Sequence, residues 1–198
     1  MCWANSRLVV HEDVYDEMVE KMATIAEGIP IGGGIDDDGQ MGPVVNKEQL
    51  EEVLEYIEIG RDEGATVAAG GGVPNEKDVG YFVEPTVLVD VTNDMTVARE
   101  EIFGPVLSVI KVEDEAEAIE VANDSPFGLT SCVWTNNLSR AHRVADRLDY
   151  GMVMINETPN TWPQTPFGGT KMSGHGRAQG EEAIETYTEV KNVHVNLG

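Results

Sequence analysis

The chain has 198 residues, 41% of them hydrophobic, enough to bury the core of one domain, or of one domain with an appendage. It carries 36 Asp and Glu against 13 Lys and Arg, a net charge of −23 and a pI near 4.3. So acidic a surface repels phosphate backbones and anionic lipid heads, which disfavours nucleic-acid and membrane partners. The acids are spread over nearly every amphipathic segment rather than gathered in one tail. That distribution favours adaptation to a salty cytoplasm over a face for one basic partner. No apolar run is long enough to span a bilayer, and the first residues lack the apolar stretch of a signal peptide, so a cytoplasmic protein is expected.

In chain order, residues 7–10 form a short apolar run, and His11-Glu12-Asp13 opens a helical pattern with Val14, Met18, Met22 and Ile25 on one face. Gly28 and Pro30 stop it. Asn46 reads as an N-cap with Gln49 three residues on, the spacing of a capping box. Leu50, Val53, Leu54 and Ile57 then mark an amphipathic helix that Gly64 ends, with a strand over 66–69. The β-branched runs 87–89 and 106–112 predict strands, a helix follows over 114–122, and 130–135 is a strand. Leu138, Ala141, Ala145 and Leu148 mark another helix, and 152–155 a buried strand. Strands separated by helices imply an α/β fold, a mostly parallel sheet covered by helices. After the Gly-rich stretch 168–180 come a short helix and an alternating segment over 193–197, an edge strand suited to pairing with another chain.

Several motifs fail on spacing. Asp36-Asp37-Asp38-Gly39 resembles a calcium loop, but with Gly39 at loop position 6 the final ligand would be Val45. Gly32-Gly33-Gly34 and Gly70-Gly71-Gly72 lack the Lys-Ser/Thr of a P-loop and read as turns. Gly174, Gly176 and Gly180 fit a dinucleotide glycine motif only loosely, with no strand leading in. The four histidines are scattered at spacings that suit no metal, so no metal site is expected. Of the two cysteines, Cys132 sits in an apolar run that reads as a strand core, and free thiols are the simpler reading.

Other segments carry more. Cys2-Trp3-Ala4-Asn5-Ser6-Arg7 is similar to the Cys-x-Ala-x-Ser-Arg stretch around the catalytic cysteine of the aldehyde dehydrogenase superfamily. Glu100-Glu101-Ile102-Phe103-Gly104-Pro105-Val106 contains the Glu-Ile-Phe-Gly-Pro-Val signature of that family. Residues 166–174, Pro-Phe-Gly-Gly-Thr-Lys-Met-Ser-Gly, match its Pro-Phe-Gly-Gly-x-Lys-x-Ser-Gly loop. The order and spacing of these segments identify the chain as resembling the C-terminal, cysteine-bearing half of an NAD(P)-dependent member.

The resemblance implies a chemistry. A cysteine thiolate adds to an aldehyde, hydride passes to NAD or NADP, and a water activated by a glutamate hydrolyses the thioester. It makes Cys2 the nucleophile, places Glu101 at the nicotinamide-side ribose with Phe103 beside it, and lines the substrate tunnel with Trp3, Asn160, Thr161 and Phe167. Polar Asn160 and Thr161 suggest a short polar aldehyde or semialdehyde. Gly168, Gly169 and Gly174 read as turn residues that let backbones approach. The resemblance further implies a catalytic domain over 1–180, a C-terminal helix and oligomerisation strand over 181–198, and a homo-oligomer, dimer or tetramer, in the full-length form. The glutamate base, the oxyanion asparagine and the Rossmann-type domain have no counterpart here, so the chain by itself is expected to be inactive. The alternative is a non-catalytic remnant that keeps only the fold and the tail.

Overall fold

A computed structural model of the chain describes residues 1–35, 39–75 and 79–198; the acidic triplet 36–38 of the rejected calcium reading lies outside them. The chain divides into two compact units, Met1–Ser125 and Pro126–Gly198.

In the first unit, strands β1 (Arg7–His11), β2 (Thr66–Ala69), β3 (Thr86–Val89) and β4 (Val106–Val112) form one sheet in the order β1-β4-β3-β2. β4 pairs in parallel with both β1 and β3, and β2 runs antiparallel at the edge. Helices α1 (Tyr15–Gly28), α2 (Lys47–Glu63), α3 (Thr96–Arg99) and α4 (Glu115–Asn123) complete the unit. Because strand side chains alternate between faces, the sheet feeds two cores. Leu88, Val106 and Ile110 join Val53 and Ile57 of α2 and Val97 of α3. Val87, Val89 and Val109 join Tyr15 and Ala26 of α1. Ser108 is buried among them, and its hydroxyl donates to the Val97 carbonyl at 3.1 Å, so no polar group is stranded there.

The second unit holds two small ribbons and two helices, α5 (Leu138–Arg147) and α6 (Ala183–Thr186). β5 (Phe127–Gly128) pairs antiparallel with β8 (Thr170–Lys171), and β6 (Thr130–Val133) pairs in parallel with β7 (Met152–Ile155). The fold is thus α/β, with parallel pairings predominating.

Two expectations need correction. The buried face of α1 is Tyr15, Met18, Val19, Met22, Ala23 and Ala26, while Val14 and Ile25 are exposed. The reading had the right period but was displaced around the helix, because Tyr15, polar at its tip, is a core residue: its hydroxyl accepts from the Asp90 N–H at 3.0 Å and Lys111 lies over its ring. Cys132 is half-buried rather than enclosed, since no residue of β6 is fully buried. Residues 193–197 form no strand within the chain, and Val193, Val195 and Leu197 are exposed. An edge strand needs a second edge, and the tail finds none here.

Candidate functional site

The predicted site residues divide between the two units. Cys2, Trp3, Glu101 and Phe103 lie in the first, and Asn160, Thr161 and Phe167 in the second.

Cys2 and Trp3 form a tight turn closed by the Ala4 N–H donating to the Met1 carbonyl at 3.2 Å, with Cys2 exposed. The turn feeds β1 directly, and Arg7 anchors that entry. Its guanidinium donates to Asn93 Oδ1 at 2.7 Å and to the Val121 and Ala122 carbonyls at 3.0 and 2.9 Å. The last two are carbonyls left over at the end of α4, where a cation is doubly favourable.

Glu101 and Phe103 lie on the segment that joins α3 to β4. In the parallel register Arg7 faces Ser108, and the Ser108 N–H donates to the Ser6 carbonyl at 2.9 Å. Cys2 and Phe103 each stand five residues ahead of that pair, so both segments lead into the N-terminal ends of neighbouring parallel strands.

Between these exposed residues Ile102 is 5% exposed, packed into the α2 core, while Phe103 is 56% exposed with φ of +52°. A left-handed residue with a Cβ costs about 1 kcal/mol. The contacts around it offset that. Gln49 Nε2 donates to the Ile102 carbonyl at 3.2 Å, a bond of about 1 kcal/mol. Gly104 passes so close to α2 that a Cβ there would lie 2.5 Å from Val53 Cγ2. Tyr56 donates to Glu100 Oε2 at 2.8 Å. That bond, with partial burial and the charges of Glu100, Glu52 and Glu55, pushes the Tyr56 phenol up to about 12. None of these three contacts was read from the sequence. The sequence offers Gln49 as a capping residue, and Asn46 Oδ1 does accept from the Gln49 N–H at 2.8 Å, but the Gln49 side chain turns to Ile102 instead of back to the cap.

In the second unit the loop after β7 begins at Asn156, left-handed at φ +54°, whose side chain accepts from the Thr135 N–H at 2.9 Å and donates to the Thr135 carbonyl at 3.0 Å. Asn160 is exposed, its Oδ1 accepting from the Thr161 N–H at 2.8 Å, and Thr161 is half-buried. Phe167, also half-buried, exchanges backbone hydrogen bonds with Ala178 at 2.6 and 2.7 Å. Gly168 and Gly169 are close-approach residues as expected, since a Cβ would lie 2.4 Å from the Gly176 carbonyl or 2.5 Å from Ser173 Cβ. Gly174 instead uses its freedom for a positive φ of 128°, in open space.

Burial, followed by the Glu157 carboxylate, pushes the Cys132 thiol up, which lowers its thiolate content. Among the described residues no group of three or more His, Cys, Asp and Glu is placed to hold a metal, and no helix is long and apolar enough to cross a membrane.

The Aldehyde dehydrogenase family model matches residues 1–193. A betaine aldehyde dehydrogenase of Rhizobium etli is 49% identical over 200 residues, covering all of this chain and 41% of its own length. The solved NAD+ complex of an aldehyde dehydrogenase from Bacillus cereus superposes with a TM-score of 0.93 at 48% identity, over 98% of this chain and 39% of that one. A betaine aldehyde dehydrogenase of Staphylococcus aureus in complex with NAD+ gives 0.92 at 39% identity, over 94% and 38%. The chain therefore spans about two-fifths of the length of the relatives it matches.

Proposed function

The chain belongs to the aldehyde dehydrogenase family, and on that premise we propose that it supplies the nucleophile and the nicotinamide-side contacts of an enzyme that oxidises an aldehyde to a carboxylate. The observation that carries this reading is that exposed Cys2 and exposed Glu101 and Phe103 lie on the two segments that lead into the neighbouring parallel strands β1 and β4.

These residues fit a nicotinamide nucleotide. An exposed carboxylate offers two acceptors to the hydroxyls of a ribose, and an exposed ring suits a flat heteroaromatic partner. NAD or NADP is the proposed cofactor, and when bound it supplies the hydride acceptor. Cys2 does the covalent work. Its Sγ, as thiolate, bonds to the carbonyl carbon while the C=O π pair moves to oxygen, giving a thiohemiacetal. The Cys2 backbone N–H donates to that oxyanion. Loss of hydride leaves a thioester on Cys2; water adds, the C–S bond breaks, and thiolate and carboxylic acid separate. The base that activates this water, the asparagine that completes the oxyanion site and the phosphate-binding domain are proposed to lie outside these 198 residues. By itself the chain is expected to turn over no aldehyde.

Trp3, Asn160, Thr161 and Phe167 are the proposed substrate contacts, for a short polar aldehyde. Betaine aldehyde, named in several relatives, is the first to try. The tail after Tyr187 is proposed to add as a strand to a second subunit of a dimer or tetramer. The excess of acids fits a salt-rich cytoplasm that screens their repulsion.

The test joins the chain to its cofactor domain and follows cofactor reduction with betaine aldehyde and propionaldehyde. Cys2→Ser is expected to abolish turnover, and Glu101→Gln to raise the cofactor KM. Turnover that survives Cys2→Ser would remove the nucleophile assignment.

A further inference from the structure

Three residues on one face of α2 meet three alternate residues of the 100–104 segment. Gln49 donates to the Ile102 carbonyl, Val53 fills the space beside Gly104, and Tyr56 donates to Glu100. Positions 49, 53 and 56 follow the i, i+4, i+7 spacing of a single helix face. With 100, 102 and 104 turned to the helix, 101 and 103 are left facing out, and both are exposed.

Gln49 acts at the sharpest point of this path. The Ile102 carbonyl belongs to the peptide that carries the Phe103 N–H, so fixing its plane fixes the frame in which Phe103 adopts φ +52°. That conformation is disfavoured for a residue with a Cβ and needs surroundings that determine it. A Gln three residues beyond an Asn cap has a local alternative, the cap's own N–H. Here the amide leaves it to reach across 53 residues of sequence.

We infer that Gln49, supported by Tyr56, is a positioning residue that holds the 102–103 peptide so that Glu101 and Phe103 are presented outward to the cofactor. The inference rests on the proposed role of those two residues, but the geometry it asserts is measurable without any cofactor.

Ile102-Phe103 is the sole Ile-Phe step in the sequence. Chain labelled with 13C-carbonyl Ile and 15N Phe therefore gives one carbonyl–amide cross-peak, reporting the peptide that Gln49 holds. Gln49→Met is expected to shift that peak and to speed Phe103 amide exchange about threefold to tenfold, the span of one hydrogen bond. Tyr56→Phe, which keeps the ring, should move the same peak less. A peak unmoved in both variants overturns the inference, whatever the enzyme does.

In the full-length enzyme Gln49→Met should raise the cofactor KM by a similar factor while kcat changes less, and Glu101→Gln should raise KM as well. If the peak moves and Glu101→Gln raises KM but Gln49→Met does not, positioning is overturned and the role of Glu101 stands. If neither variant changes KM, it is the cofactor role of Glu101 that fails.

Discussion

The two compact units differ in where their apolar side chains go. In Met1–Ser125 a four-stranded sheet is covered on both faces, and Leu88, Val53, Ile57 and Val109 have lost essentially all contact with solvent. In Pro126–Gly198 the only buried hydrophobic residues are Ala141 and Met152, among the described residues. Trp134, Leu138, Trp162, Ile184 and the tail valines stay exposed. The first unit carries its own core. The second is a set of ribbons, turns and short helices held by hydrogen bonds and glycine close approaches, with several large apolar side chains left exposed. The candidate site follows the same division. Its candidate thiol, Trp3 and cofactor-side residues sit on the well-packed unit, the last on a segment that α2 holds, and the candidate substrate-side residues Asn160, Thr161 and Phe167 sit in the second unit, Asn160 and Thr161 on a loop that braces itself.

The contrast is most sharply tested by paired truncations. Leu88→Ala, at 0% exposure between α2 and the sheet, should lower stability by about 3 kcal/mol, the transfer loss plus a cavity. Leu138→Ala, at 71% exposure on α5, should change it by less than about 0.5 kcal/mol. Chemical denaturation of dilute chain measures both. Comparable losses would mean that the apolar surface of the second unit is covered in solution, and the contrast between the units would fall.

Next in size is the contrast between the two thiols. Cys2 is exposed on the turn before β1, whereas Cys132 is half-buried in β6 with its thiol pushed up by burial and by Glu157. A limiting small alkylating reagent should label Cys2 at least about tenfold faster than Cys132 in the folded chain, because reactivity follows access and thiolate fraction. Denaturant should bring the rates together. Equal rates in the folded state would show that the second unit opens as readily as the turn at Cys2.

What was legible from sequence follows physical lines. The strands 66–69, 106–112 and 152–155 were readable to the residue because β-branched runs between glycine and acidic breaks leave little choice. The Asn46 cap and Gly64 stop were readable because they are local chemistry: Asn46 accepts from Gln49, and Gly64 adopts φ 109°. The four-residue helix α3 was not read, because one turn carries no periodicity. The α1 face differs from the sequence reading because Tyr15 buries a hydroxyl that is satisfied by Asp90, 75 residues away. At the candidate site the sequence offered the chemistry-bearing residues but not the α2 contacts behind them. Gln49 and Tyr56 sit among ordinary helical surface residues, and their partners are 53 and 44 residues distant.

The smallest expected effect separates the two loops by their response to alkali. The 100–104 segment is held partly by a titrating group, Tyr56, and the loop after β7 by the neutral Asn156 amide. Tyr56 has its folded-state value raised from 10.0 to about 12, first by its hydrogen bond to Glu100. A group raised on folding contributes its stability fully below the unfolded value, and that contribution is lost as pH rises through the folded value. The melting-temperature difference between the parent chain and Tyr56→Phe should therefore be constant up to about pH 10 and fade toward pH 12. The corresponding difference for Asn156→Ala should stay level over that window, since neither its amide nor the Thr135 backbone titrates there. Because the phenol is largely solvated, its difference will be a small one, and the subtraction cancels the lysines that lose charge over the same range. A Tyr56→Phe difference that persists unchanged to pH 12 would mean that the phenol adds nothing through Glu100. Of the α2 contacts to the 100–104 segment, Gln49 and the Val53–Gly104 approach would then be the ones that hold it.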